Sequence, residues 1–369
     1  MRTGTNQTEP LRVMVVGPGP MTEGGITEVI QRVMKALHGR PECRVTWLVM
    51  HRSGNAWKKT LAGISGTFEA LMTIWRHDIV HIHSAAYISF FRKSVVFWLA
   101  RVWRRPVIWH LHTPNNDFCD FFGSNSLSGR YARWVLGKAN RVVVLSESWR
   151  PLVAPYVADS RLRVILNPIP DIDFDEVVRS SRRPVRILYL AHLIQRKGYP
   201  LLIRAFADLY HEDRGCKLVF AGSGETKEAQ ELCRKLGIEE AVEFLGWIKE
   251  PRRTEELRAA DIFVLPSYQE GLPMGVLEAM AFGLAVVTTP VGGICDVVKD
   301  QKNGILVTPG NIEELQRALL DLVIDLEKRR RLGAQARKDV GSFTAKNIAE
   351  KWLELYREVS VREENPASS

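Results

Sequence analysis

Apolar residues follow two alternating periods along the chain. Short apolar runs, typical of buried strands, are separated by longer stretches in which apolar residues recur at helical spacing. In the first half the runs predict strands at Leu11–Val16, Val45–Met50, Ile79–His83, Pro106–Leu111 and Arg141–Ser146. Helical stretches lie between them, the first from Thr27 to Leu37. Strands that alternate with helices predict a parallel sheet with both faces covered.

The same pattern starts again after a proline-rich, acidic segment at residues 169–184, which we interpret as a linker. Strands are then predicted at Arg186–Ala191, Cys216–Ala221, Val242–Phe244, Ile262–Leu265 and Ala285–Thr289. We therefore expect two Rossmann-like α/β domains, at residues 11–168 and 185–342, and flexible ends at 1–10 and 360–369. A final helix at 343–359 is expected to pack back toward the first domain. Ligands of such folds bind at the carboxyl ends of the strands.

Positive charge and tryptophan are concentrated in the first half. Residues 1–180 carry 23 basic and 14 acidic side chains, whereas residues 181–369 carry 28 of each. Eight of the ten tryptophans also lie in the first half, so we expect this half to meet an anionic partner. Five scattered cysteines without a Cys-x-x-Cys pair argue against a disulfide framework and a zinc site. Because the chain has no apolar leader and no run of about 20 apolar residues, we expect a cytoplasmic protein.

Two glutamates eight positions apart are the most informative candidates for chemistry. The segment Ser267–Met280 places Glu270 in a loop and Glu278 just over one turn into the next helix, with Pro273 as the expected first helical residue. The start of a helix binds anions such as phosphate, through its unpaired N–H groups and its dipole. Carboxylates beside a bound phosphate would accept hydrogen bonds from hydroxyl groups. A sugar nucleotide provides both the phosphate and the hydroxyls. The alternative is that Glu270 caps the helix and Glu278 is a solvated charge.

Glycine-rich loops follow a predicted strand in each half. Gly17–Gly19 and Gly24–Gly25 bracket the first loop, and Gly222–Gly224 forms the second. The first loop lacks the Gly-x-Gly-x-x-Gly pattern because Thr22 stands at the third glycine position, which disfavours NAD. Glycines still allow backbone amides to approach a phosphate closely, although a plain tight turn is the alternative. Lys197 follows another strand, from which its ammonium could reach a diphosphate.

Four histidines, His81, His83, His110 and His112, stand at the carboxyl ends of two predicted strands. Their spacing of two would suit metal ligands, but alternate residues share a face in any strand. No cysteine or carboxylate cluster joins them in the sequence, so we expect no metal. A histidine at a strand end can instead bond a sugar hydroxyl.

Taken together, these residues resemble the retaining glycosyltransferases of family 4, which have the GT-B architecture of two Rossmann-like domains facing each other across a cleft. The resemblance covers nearly the whole chain and is strongest from Asp261 to Gly310. There the family's elements follow in order: Phe263–Ser267, the glutamate pair, Gly283–Thr289, Gly292–Gly293 and Asn303–Gly304. The resemblance implies transfer of a sugar from a nucleoside diphosphate with retention of its anomeric configuration, without a metal or other cofactor.

The resemblance also implies roles for single residues. Glu270 contacts the donor sugar, Glu278 binds the ribose hydroxyls, and Lys197 binds the diphosphate. His112 lies beside the donor sugar. The other binding residues that the resemblance implies are Gly24, Gly25, Trp247, Ile248, Leu272, Met274 and Gly275. We add His192, Arg196, Ser223 and Gly224 as candidates because they lie in the loops that follow predicted strands. The family usually has an arginine where this chain has His192, which predicts weaker or differently organised diphosphate binding, and adjacent Arg196 is a candidate substitute.

Aromatic and basic residues are mixed at Trp57–Lys59 and Phe90–Arg105. The second segment predicts a helix that lies in a membrane interface with its cations at headgroup level. The alternative is a helix buried on the sheet. A membrane-bound helix would place the protein at the inner face of the cell membrane, with a lipid-linked sugar as acceptor for polysaccharide assembly. Nucleic acid is disfavoured because no recognition motif is present.

Two other functions remain compatible with the sequence. An epimerase could isomerise a nucleotide sugar on the same scaffold without an acceptor. A non-catalytic protein could bind a sugar nucleotide or a lipid surface, a possibility that the histidine at position 192 keeps open. The sequence Asp171–Asp173 matches the Asp-x-Asp signature of metal-dependent sugar transferases, but it lies in the linker and is interpreted as a solvated charge cluster.

Overall fold

The structure, a computed structural model, describes residues 9–170 and 184–361. The Asp171–Asp173 cluster, most of the predicted linker and most of both predicted flexible ends lie outside these residues. The chain divides into two compact units, one comprising Met1–Pro168 with Ala345–Ser369 and the other Ile169–Thr344.

The first unit contains one parallel sheet flanked by helices. Its strands are β1 (Leu11–Pro18), β2 (Cys43–His51), β3 (Ile79–Ser84), β4 (Val107–Leu111), β5 (Arg141–Val144) and β6 (Leu162–Val164), in the order β2-β1-β3-β4-β5-β6. Its helices are α1 (Gly25–Leu37), α2 (Ala56–Thr73), α3 (Ile88–Val102), α4 (Asn115–Phe122), α5 (Leu127–Lys138), α6 (Arg150–Val153) and α14 (Ala345–Val361). Every neighbouring pair of strands is parallel, so the carboxyl ends lie along one edge.

The second unit repeats this arrangement. Its strands are β7 (Val185–Leu190), β8 (Cys216–Ala221), β9 (Val242–Gly246), β10 (Ile262–Leu265), β11 (Ala285–Thr288) and β12 (Ile305–Leu306), in the order β12-β11-β10-β7-β8-β9. Its helices are α7 (Tyr199–Glu212), α8 (Thr226–Lys235), α9 (Arg252–Ala259), α10 (Met274–Ala281), α11 (Ile294–Val297), α12 (Ile312–Ile324) and α13 (Leu326–Val340). This sheet is also parallel throughout. The expectation of two Rossmann-like sheets is therefore confirmed.

Helix α3 corrects one expectation about the membrane. The segment Phe90–Arg105 does contain a helix, but its apolar face is part of the core of the first unit, where Phe90 and Phe97 are fully buried. Lys93 on the same helix is buried as well. The prediction that this apolar face rests on lipid is therefore wrong, and the alternative of a buried helix is correct. Across residues 9–170 and 184–361, none of the helices is long and apolar enough to cross a bilayer.

Candidate active site

Lys197 and Glu270 meet at the carboxyl edge of the second sheet. Lys197 follows β7 and Glu270 follows β10, and these strands are neighbours, so their ends lie side by side. The Lys197 ammonium nitrogen lies 2.5 Å and 2.6 Å from the two carboxylate oxygens of Glu270. Ser267 donates a further hydrogen bond of 2.7 Å to Glu270. The Glu270 side chain is 5% exposed, so this pair is held in a largely dry environment.

Glycines allow the loops around this pair to approach closely. A Cβ atom on Gly198 would lie 2.0 Å from the carbonyl oxygen of Pro266, and one on Gly292 would lie 2.0 Å from that of Glu270. Both glycines have positive φ angles, 73° and 58°, which other residues seldom adopt. The Gly293 N–H also donates to the carbonyl oxygen of Gly271 at 2.6 Å. The position of Glu270 is thus fixed by backbone contacts from two other loops.

Glu278 is fully buried and paired with an arginine. It lies in the second turn of α10, and its Oε2 accepts hydrogen bonds from the Nε and one Nη of Arg253, at 2.9 Å and 2.5 Å. Arg253 belongs to α9 and is 8% exposed. The alternative that Glu278 is a solvated charge is therefore wrong. The guanidinium fixes the orientation of this carboxylate.

The start of α10 differs slightly from the expectation. Pro273 has an extended conformation and precedes the helix, which begins at Met274. No side chain caps this helix start, so Glu270 is not its cap. Leu272 and Met274 are nearly buried, and a Cβ atom on Gly275 would lie 2.7 Å from the carbonyl oxygen of Leu190. The glycine therefore lets the first turn of α10 pack directly against the end of β7.

Loops after β7, β8 and β9 bring together a second group of predicted residues. The Nδ1 of His192 lies 3.1 Å from the hydroxyl of Ser223, and its ring stacks on Trp247 with the centroids 5.0 Å apart. Gly224 pairs with Leu193 in an isolated bridge, while Ile248 is half-buried. The side chain at position 192 thus takes part in a polar and aromatic cluster.

Arg196, the candidate substitute, is exposed, and its carbonyl oxygen accepts the Tyr268 N–H at 2.8 Å. Tyr189 lies beneath the same loop, where its hydroxyl donates to the carbonyl oxygen of His192. Burial, reinforced by the Glu270 carboxylate, raises the pKa of Tyr189 well above its usual value. Tyr189 therefore serves this loop as a neutral hydrogen-bond donor.

The predicted residues of the first unit lie at the carboxyl edge of its own sheet. Gly24 immediately precedes α1 with a φ of 137°, and a Cβ atom there would meet nothing within 4 Å; Gly25 is the first residue of the helix. His112 follows β4, and its Nε2 lies 3.0 Å from the Nδ1 of His83. Burial lowers the pKa of both histidines, so both rings are neutral near pH 7.

His81, His83 and His110 are the group of described residues that comes nearest to a metal-ligand set, with ring nitrogens within 4.8 Å of one another. Two of them have a packing role. His81 bonds the hydroxyl of Tyr356 at 2.9 Å, and its ring lies 4.2 Å from that of Trp352 on α14. The His110 ring lies 5.0 Å from the same tryptophan ring. These contacts attach α14 to the first sheet. The expectation that the site uses no metal stays a prediction.

Comparison with known proteins gives a family for both units. The model for glycosyl transferases group 1 matches residues 172–339, and the model for glycosyl transferase 4-like domains matches residues 13–168. Solved structures with the same two-sheet fold align over nearly the whole chain. The chain is a GT-B glycosyltransferase of the family-4 type. The epimerase alternative receives no support from these matches.

Several known glycosyltransferases are similar to this one. A D-inositol 3-phosphate glycosyltransferase of Corynebacterium jeikeium is 29% identical, covering 96% of this chain and 93% of that protein. An uncharacterised glycosyltransferase of Methanocaldococcus jannaschii is 28% identical, covering 78% and 77%. The HepE protein of Anabaena, solved with UDP and glucose, aligns with a TM-score of 0.73 and 18% identity, covering 94% of this chain and 99% of that one. Sucrose-phosphate synthase of Thermosynechococcus elongatus aligns with a TM-score of 0.75 and 19% identity, covering 95% and 100%.

The sequence did not reveal every residue of this candidate site. Arg253 lies 25 positions before its partner Glu278, on another helix, and no local spacing connects the two. Ser267 begins the segment Ser267–Met280 that contains both glutamates, but nothing in the sequence indicates that its hydroxyl bonds Glu270. Its spacing of three residues from the glutamate is the one signal that could have suggested the contact.

Proposed function

We propose that this glycosyltransferase moves a sugar from a nucleoside-diphosphate donor to a lipid-linked acceptor, with retention of configuration and without a metal, in the assembly of a cell-surface polysaccharide. The observation that carries the donor part is the buried pair of Lys197 and Glu270, with Glu278 on the adjoining helix α10. A diphosphate needs a cation, and a sugar needs carboxylates that accept hydrogen bonds from its hydroxyls. HepE, which has the same fold, was solved with UDP-glucose, and this supports the choice of donor class.

Each residue has a defined task in this proposal. Lys197 neutralises the charge that develops on the diphosphate as the bond from the anomeric carbon to phosphate oxygen breaks. Glu270 holds the ammonium in place and contacts the donor sugar, while Glu278, oriented by Arg253, binds the ribose. The acceptor hydroxyl attacks the same face of the sugar. Its proton passes to an oxygen of the departing diphosphate, so atoms and charge balance.

The acceptor part of the proposal is supported by helix α2. Six apolar side chains on it and just beyond it are 45% to 68% exposed at alternating spacings of four and three residues, which places them along one side: Trp57, Leu61, Ile64, Phe68, Leu71 and Trp75. Lys58, Lys59 and Arg76 stand beside this stripe, and Glu69 is the one acidic residue of the helix. An apolar stripe flanked by cations fits the surface of an anionic membrane. The membrane contact therefore belongs to α2 in this proposal.

One incubation separates the proposed reaction from its alternatives. The purified protein is mixed with a panel of nucleotide sugars, with and without membrane extract. We expect sugar to appear in the lipid fraction only when extract is present, and to be lost in Lys197→Met. Isomerised donor without extract would indicate an epimerase. Donor binding without any product, under conditions that support related transferases, would contradict the proposed activity.

A further inference from the structure

Lys93 is a buried lysine in the first unit, and the proposed reaction assigns no role to it. It lies on α3 with 2% of its surface exposed. A side chain on a helix leans back toward the helix start, and the Lys93 ammonium accordingly donates to the hydroxyl of Ser89 at 2.9 Å. The same hydroxyl accepts the N–H of Ala85, the residue that follows β3. The ammonium therefore lies at the carboxyl edge of the first sheet.

The charged and titratable groups that interact electrostatically with Lys93 are other bases: Arg92 acts on Lys93, and Lys93 acts on His51, His83 and His112. Arg92 is its neighbour on α3, His51 ends β2 and His112 follows β4, and each of the two histidines has its pKa lowered by burial and then by nearby cations that include Lys93. Lys59 adds to the positive potential at His51. Burial and Arg92 lower the pKa of Lys93 to about 7. Within the described residues, the electrostatic partners of Lys93, His51 and His112 include no carboxylate.

Two hydrogen-bonding atoms in the cluster of Lys93, Arg92, Lys59 and His51 also lack partners. Arg92 Nε and His51 Nδ1 are buried, and neither has a hydrogen-bond partner among the residues that the structure describes. A buried cation without a counter-ion destabilises the fold, and an apolar side chain of the same shape would pack in its place without that cost. Packing alone therefore does not explain Lys93. Cations and buried atoms without hydrogen-bond partners, brought together at the carboxyl edge of the first sheet, form a site for an anion.

We propose that Lys93, Arg92, Lys59 and His51 bind a phosphate group of the acceptor. This inference rests on the proposed function, because it specifies what the first unit recognises. The carbonyl oxygen of His51 accepts the N–H of Gly19 at 2.7 Å, so the glycine-rich loop borders the cluster and can add backbone donors. The donor diphosphate has its own cation in Lys197. The cluster on the first sheet thus supplies a second, separate phosphate position.

Anion binding can be measured without donor, acceptor or turnover. Inorganic phosphate and pyrophosphate are titrated into the wild type, Lys93→Met and Arg92→Gln, with melting temperature and calorimetric affinity as readouts. Lys197→Met is included so that anion binding at the donor site is recognised. Lys35→Met, an exposed lysine on α1, is the matched control. We expect both anions to stabilise the wild type, Lys35→Met and Lys197→Met, and Lys93→Met to lose about tenfold or more in affinity.

Several results would overturn the assignment. These are a wild type that phosphate does not stabilise, a Lys93→Met protein that keeps the full effect, or an effect lost only in Lys197→Met. Arg92→Gln keeps the test decisive if the other variant folds poorly. Failure of sugar transfer with intact, Lys93-dependent phosphate binding would count against the proposed function alone.

The source of the phosphate is then determined with acceptors. A lipid-linked sugar phosphate and a soluble sugar phosphate are compared as substrates, each beside its phosphate-free analogue. We expect Lys93→Met to raise KM for the phosphorylated acceptor about tenfold or more and to leave KM for the phosphate-free analogue unchanged. Equal effects on both analogues would contradict a phosphate contact.

Discussion

Replacing Arg253 by methionine removes the cation whose two N–H groups meet Glu278. The side chains are 10% and 0% exposed, so the pair is shielded from solvent on both sides. Removing one partner of a buried pair typically costs about 3–5 kcal/mol, because the other charge stays buried. The second unit spans residues 169–344, a size at which 1 kcal/mol shifts the melting temperature by about 2–4 °C. We therefore expect Arg253→Met to lower the melting temperature of this unit by roughly 6–20 °C.

A double-mutant cycle with Glu278→Gln tests this reasoning. Urea unfolding is followed for the wild type, both single variants and the double variant, and donor affinity is measured in parallel. Since the two residues share one interaction, the double variant should lose less stability than the sum of the singles, by about 0.5–3 kcal/mol. Arg330→Met, which disturbs an exposed pair with Glu327, should cost about 1 kcal/mol or less. Strictly additive effects, or an Arg253→Met variant as stable as Arg330→Met, would refute the account of Glu278.

Further predictions concern the first unit. The folded-state pKa of Lys93 lies below that of the unfolded chain, so in phosphate-free buffer Lys93→Met should be more stable than the wild type by about 3–5 kcal/mol at pH 6–7. The difference in urea unfolding should shrink as pH rises from about 7 to about 10.5, and a constant difference would contradict it. Burial holds the pKa of His110 well below its usual value, so only the unfolded chain gains this proton as pH falls below about 6.5. His110→Leu should therefore lose less stability than the wild type between about pH 6.5 and 5, measured by thermal unfolding, and equal losses would count against this. Phe68→Glu on α2 should abolish flotation with anionic vesicles, whereas Leu127→Glu, at a still more exposed position on α5, should not. Unchanged flotation of Phe68→Glu would show that α2 is not the membrane contact.

The fold was largely predictable because most strands contain a short apolar run, as in Leu11–Pro18 and Ile262–Leu265. Cys216–Ala221 and Ile262–Leu265 were predicted with the bounds that the structure has, since burial on both faces favours apolar residues and Lys217 is the one charged residue in these two strands. The short strands Leu162–Val164 and Ile305–Leu306 were missed. They lie at the edges of their sheets and are too short to produce a recognisable pattern.

Spacing along the chain indicated contacts within the candidate site only where its residues lie on one continuous segment. Glu270 and Glu278 belong to the same loop and helix, so their spacing carried information. Arg253 and Lys197 reach these carboxylates from other elements, and such contacts depend on the order of strands in the sheet. Lys93 was hidden for another reason. From the sequence, a lysine in a helix rich in aromatic residues is interpreted as a surface charge. Only the packing of α3 shows that the Lys93 ammonium is buried.

The rate of sugar transfer in Lys197→Met tests the central claim most directly. With the donor identified from the panel and membrane extract as acceptor, initial rates are compared for the wild type, Lys197→Met and the exposed-lysine control Lys235→Met. Loss of one preorganised charge at the leaving group should lower kcat by about 10²–10³-fold, while the control keeps the wild-type rate. A folded Lys197→Met protein with unchanged kcat would contradict the assignment of this site.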